Sequence, residues 1–318
     1  MQLTKKQSHI DYLKAIAAIF VVIHHALSYA KIQNANFVIE ASYTLIVCTH
    51  VPLFLCIAGY LCHKQPLGPY FKKKALRLLI PFVVFSLLKI TYAILFDSTH
   101  AHANSIGAQF VDAFLTGSLY WFIYAILIMY AAAPLLWKMK KGNIVVFIAL
   151  VTTSTLLEVS NISLGQYLQL HNTVTYGCYF VAGILIQQYA TKLTTFSEKH
   201  KKKLLAVAAL LIVGILCFKL NYDHPMPHFL KVLVAFSMMY VLFRAAKKLP
   251  ATIKPLSFIG NISLQVMLFD SFFKVVLFKL IPATVITVWP IILINLLLTY
   301  FCCLIIKKIP IIRVLFGL

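Results

Sequence analysis

The stretch "IDYLKAIAAIFVVIHHALSYA", residues 10–30, decides the fold. Wound as an α-helix at about 1.5 Å per residue, it is roughly 30 Å long, the thickness of a bilayer's hydrocarbon core. Its polar residues are few and specific: Asp11 and Lys14 near one end, and the adjacent His24 and His25 deep in the apolar part. A basic start at Lys5 and Lys6 and the ending "ALSYA" loosely resemble a cleaved signal peptide, but Asp11 and Lys14 break what would be a clean apolar core. The segment is therefore expected to be a retained first membrane helix.

The rest of the chain agrees with that reading. Of 318 residues, 61% are hydrophobic and only 12% charged, with a mean hydropathy of +0.89. A water-soluble core cannot absorb so much apolar surface. The apolar runs are continuous and about 20 residues long, so they predict spanning helices rather than the short alternating strands of an outer-membrane barrel. Ten runs are expected, at 10–30, 38–62, 77–96, 118–137, 143–160, 172–190, 203–220, 228–246, 257–280 and 285–306. The class is all-α, a polytopic membrane protein with residues 1–318 in one membrane domain, and no repeat of fixed period marks a second.

Charge sets the expected orientation. The net charge of +21 is gathered into short clusters between apolar runs, at residues 64–77, 138–141, 192–203, 244–254 and 307–313. These all fall on alternate connections, as the positive-inside rule requires of cytoplasmic loops. The opposite connections are nearly bare; the longest, "FDSTHAHANSIGAQ" (96–109), has no Lys or Arg. Both termini are thus expected in the cytoplasm. The partner implied by this basicity is the anionic bilayer surface, not nucleic acid. The seven cysteines form no CxxC pair and read as small buried apolar residues.

Helical geometry separates the two histidines. At about 100° per residue, Lys14 and His25 stand about 20° apart on one stripe, Asp11 lies about 40° from His25, and His24 points about 100° away. Adjacent helix positions do not favour a shared metal, so no metal site is expected here. The stripe allows two readings. Either Asp11 and Lys14 form an interfacial pair and His25 one helix–helix hydrogen bond, or a wet path runs from the cytoplasmic face to an imidazole able to take a proton.

The spacing Lys14–x10–His25 resembles the first helix of the acyltransferase-3 family of membrane-bound acyltransferases, with Lys14 in place of the commoner Arg. On this match His25 is the family histidine. Further segments resemble the family in the same order: "HVPLFLCIAGYL" (50–61), "FKKKALRLLIPFVVFSLL" (71–88), "LYWFIYAILIMYAAAPLL" (119–136), "FIGNISLQVMLFD" (258–270) and the tail "IPIIRVLFG" (309–317). The chain departs from the pattern at Ala58, where a hydroxyl is usual, and at Met267 and Asp270, which stand where the pattern has Tyr and His.

The resemblance implies transfer of an acyl group, commonly acetyl from acetyl-CoA, to a hydroxyl of a bacterial surface polysaccharide or a lipid-linked precursor. It implies an inner-membrane location, with the acyl-CoA as co-substrate and no permanently bound cofactor. His25 would be the general base, with Lys14 and Asp11 ordering the inner part of the path. Arg77 and Lys14 are the candidates for the phosphates of CoA. His50 and Trp121 are the candidates to meet the acceptor, although each also reads as a helix–helix or interfacial residue. Tyr120, Glu158, His100 and His102 read first as interfacial or loop residues. Two alternatives stay open: a transporter or flippase of a glycan or lipid-linked intermediate, which intramembrane charges also fit, and a sensor built on the same scaffold without activity.

Overall fold

A computed structural model describes residues 5–96, 106–117, 120–165, 167–221, 226–250 and 253–318. His100 and His102 lie outside the described residues. Among those described, the secondary structure is helical with no strand, and helices lie within each of the ten predicted runs. They are numbered here with the shorter helices between them. The first seven are α1 (Lys5–Tyr29), α2 (Phe37–Tyr60), α3 (Leu67–Lys74), α4 (Ile80–Phe96), α5 (Ile106–Val111), α6 (Trp121–Met139) and α7 (Gly142–Val159). Then come α8 (Leu170–Gln188), α9 (Ala190–Lys199), α10 (Lys201–Asn221), α11 (His228–Lys248), α12 (Lys254–Asn261), α13 (Ser263–Leu280), α14 (Val288–Ile306) and α15 (Pro310–Leu315).

Among the described residues, seven helices are long and apolar enough to cross a membrane, or eight if the bent pair α12–α13 counts as one span. This is a multi-pass membrane protein. The α8 and α10 helices are not among the seven. The first carries His171, Asn172, Gln187 and Gln188 at its ends, and the second opens on Lys201, Lys202 and Lys203.

Two boundaries differ from the sequence reading. The basic segment at 71–77, expected in a loop, is helical: α3 and a single π turn (Ala75–Leu79) continue into α4, and Leu67–Tyr92 is one apolar span. Lysine is a good helix former, and its long stem can lie along apolar surface while the ammonium reaches water. The run at 257–280, expected as one helix, is broken. Ile262, at φ −102° and ψ 18°, leaves helical geometry, and α12 and α13 meet at 79°. Gly260 and Asn261 before the break are poor helix formers.

The chain divides into two compact units, each assembled from separate stretches. One comprises residues 1–61 and 182–301. In it α1 packs on α2 and on both arms of the bent pair. Gly260 lies so close to α1 that a Cβ there would run into the Asp11 carbonyl. Tyr12 is fully buried and fastens the chain ahead of α12, donating to Pro250 O (2.7 Å) and accepting from Ile253 N (3.0 Å). On α14, buried Val288, Ile291, Ile292, Asn295 and Thr299 recur at helical spacing, so Asn295 shares the inward stripe. Glu198, on α9 and outside the spans, is bonded by Arg244 (2.6 Å) and Lys247 (3.2 Å) from the end of α11, which hold its carboxyl down at about 2.

The other unit comprises residues 62–181 and 302–318. Its buried centre is aromatic: Tyr70 donates to Tyr130 O (2.9 Å), Trp137 donates to Cys62 O (2.9 Å), and the Lys74 ammonium sits 3.4 Å above the Tyr130 ring. None of the seven cysteines is in a disulfide.

Candidate active site

Asp270 is the centre of the site. Its side chain is 0% exposed, on the α13 face that also buries Ser263, Val266 and Leu277. A buried carboxylate is costly unless donors surround it, and three do. His25 Nδ1 is 2.6 Å from Oδ2, Lys274 Nζ is 3.5 Å from the same oxygen, and Asn295 Nδ2 donates to Oδ1 at 2.8 Å. Lys274 reaches Asp270 because positions i and i+4 share a helix face. The Asn295 carboxamide must turn its NH2 to the carboxylate, since two oxygens cannot bond each other.

The same logic fixes the tautomer of His25. A carboxylate only accepts, so Nδ1 carries the proton and Nε2 keeps its lone pair. The His25 side chain is 39% exposed, and Nε2 has no hydrogen-bond partner among the described residues. An imidazole anchored at one nitrogen by a buried carboxylate and free at the other is arranged to take a proton from a hydroxyl or thiol.

The other end of the predicted stripe forms its own pair. Lys14 Nζ is 2.7 Å from Asp11 Oδ1. Between the pair and His25 the stripe positions are Ala18 and Val21, 0% and 1% exposed. Packed apolar side chains fill the middle of α1, so no wet path follows the stripe. Lys14 and His25 remain roughly 16 Å apart along the helix axis.

The remaining predicted residues lie elsewhere. His50 is buried on α2, with Nδ1 2.7 Å from Ile46 O. Arg77 is exposed in the π turn of the second unit, without an ion-pair partner among the described residues. Trp121, in the same unit, has its ring centroid 5.2 Å from that of Tyr176. Ala58 is buried in α2. Among the described residues no three His, Cys, Asp or Glu side chains are placed to hold a metal ion.

In the sequence Asp270 stands out only as a departure from a pattern, and Lys274 and Asn295 belong to no motif. A signal for them exists. Each is a polar residue inside an apolar run, where burial demands a partner and points to function. What the sequence lacks is the pairing, since Asp270 is separated from His25 by 245 positions.

Comparison with known proteins adds a second line of observation. Residues 8–308 match the acyltransferase-3 family model, described as an acyltransferase domain. The chain is similar to nodulation protein NolL of Sinorhizobium fredii, 29% identical over 223 residues. That alignment takes in 65% of this chain and 56% of the NolL length, so the chain spans little more than half of that relative. No solved structure matches the chain.

Proposed function

The chain belongs to the acyltransferase-3 family, and from that premise we propose that it is an integral-membrane O-acyltransferase. The reaction moves an acetyl group from acetyl-CoA to a hydroxyl of a surface polysaccharide, or of its lipid-linked precursor, at a bacterial inner membrane. The observation that carries this reading is the His25–Asp270 pair, with Nδ1 held at 2.6 Å and Nε2 left open.

In the proposed step His25 Nε2 takes the proton of the acceptor hydroxyl as that oxygen attacks the thioester carbonyl. The C–S bond then breaks, and the departing thiolate receives the proton from the imidazolium. The products are an ester and a free thiol, and His25 returns to its neutral form. Asp270 keeps the ring oriented and balances its transient positive charge, while Asn295 and Lys274 hold Asp270 in place. Lys14 in one unit and Arg77 in the other are each, taken singly, a proposed candidate for the donor's phosphates. The Lys14–Asp11 pair stands roughly 16 Å from His25 along α1, with Ala18 and Val21 packed between, so it takes no direct part in the proton transfer.

The test is His25→Ala, assayed with labelled acetyl-CoA on the purified protein and by mass spectrometry of the cell-surface glycan. Loss of a general base should lower transfer by roughly 10²–10⁴-fold. Unchanged acetylation at equal protein level would remove His25 from the mechanism. A wild-type protein that binds or moves the glycan while all label stays on CoA would be a transporter instead.

A further inference from the structure

His25 has a second set of neighbours, on α1 and α2, that the proposed chemistry does not use. The His24 ring lies among three others, with centroids 5.2 Å from His25, 4.9 Å from His50 and 5.4 Å from Tyr43. His24 Nδ1 is buried and has no hydrogen-bond partner among the described residues. A buried polar atom left unpaired in a folded protein marks a place where something else supplies the bond.

His50 shows the same pattern from the facing helix. It is 6% exposed, and its Nδ1 bonds the Ile46 carbonyl. A carbonyl only accepts, so Nδ1 carries the hydrogen and Nε2 presents a lone pair, again unpartnered among the described residues. Beside them, Tyr43 OH and Ser28 Oγ share one hydrogen bond of 2.8 Å. Two hydroxyls joined by one bond keep one further proton to donate. Next to the base there are thus one imidazole acceptor in His50, an unpaired imidazole nitrogen in His24 that can accept or donate according to tautomer, and one hydroxyl donor. The complementary ligand is a compound bearing several adjacent hydroxyls.

We propose that His24, His50 and Tyr43 form the acceptor subsite: they bind the saccharide hydroxyls that flank the one His25 deprotonates, and so select which position is acylated. This rests on the acyltransferase reading above. Among the described residues no carboxylate hydrogen-bonds His24, so it is a binding residue and not a second base.

The experiment uses the full-length protein in lipid nanodiscs, labelled acetyl-CoA, and surface glycan extracted from source cells deleted for this gene. His24→Phe keeps a ring of similar shape and removes the nitrogens. It should raise the acceptor KM by roughly 5- to 10-fold, the loss of one hydrogen bond, with kcat within about threefold and the donor KM unchanged. His24→Asn, whose Oδ1 can stand where Nδ1 stood, should restore the acceptor KM to within about twofold. Tyr43→Phe carries the same expectation as His24→Phe, should the latter fail to reach wild-type levels. An unchanged acceptor KM in both His24→Phe and Tyr43→Phe overturns the subsite, as does His24→Asn behaving like His24→Phe. A wild-type protein that transfers no label to the glycan overturns the acyltransferase reading itself, and the subsite with it.

Discussion

Replacing Asp270 by Asn tests the site at its centre. The substitution hardly changes volume, yet it leaves one acceptor oxygen where two served three donors, the His25 Nδ1–H, the Asn295 NH2 and the Lys274 ammonium. The 2.6 Å contact to His25 is a short, charge-assisted hydrogen bond, and such bonds contribute about 1.5–3 kcal/mol. If the carboxylate acts by orienting His25 and balancing its charge in the transition state, losing it should lower kcat roughly 10- to 150-fold. The assay is acetyl transfer by purified Asp270→Asn protein, with thermal unfolding to show that the variant is folded. A merely structural role would lower kcat in proportion to lost folded protein. A positioning role is recognised by a double-mutant cycle, in which Asp270→Asn adds less than about threefold to the loss already caused by His25→Ala. Full additivity, or Asp270→Asn retaining kcat within about threefold of wild type, would refute the reasoning.

Two further changes probe how the site is held. Gly260→Ala places a Cβ against the Asp11 backbone; overpacking of about 1–3 kcal/mol outweighs a helix-propensity gain of about 1 kcal/mol or less. The apparent melting temperature should fall by a few degrees, and an unchanged or higher value would show that α12 shifts freely. Tyr12→Phe removes both the bond to Pro250 O and the bond from Ile253 N, each worth about 1 kcal/mol. Hydrogen exchange at the Ile253 amide should quicken by about tenfold, with a smaller loss of acetyl transfer than His25→Ala; unchanged exchange would mean that the Tyr12 hydroxyl does not fasten this segment.

The membrane class and the positions of the helices were legible in the sequence, because the apolar runs and the charge clusters between them are local properties. Periodicity along α1 also separated His25 from His24, since the angle between two residues of one helix depends only on their spacing. Charge marks the lysines at 72–74 as a boundary between apolar runs, yet lysine tolerates a helix whose other face is apolar, and the segment is helical. The break at Ile262 follows Gly260 and Asn261, but the apolar run around them does not reveal where its axis turns.

What only the tertiary structure decided is who meets whom. The stripe of Asp11, Lys14 and His25 is real as geometry, but packing against the bent pair divides it into two separate polar ends with Ala18 and Val21 sealed between them. His24, which the helical wheel turned away from the stripe, gains His50 and Tyr43 as neighbours from α2. Asp270 changes from a departure in a pattern to the anchor of His25 once α13 is laid beside α1. A helix states in its own sequence which faces are polar; the partner of each face depends on the docking of distant segments, and no local spacing encodes that.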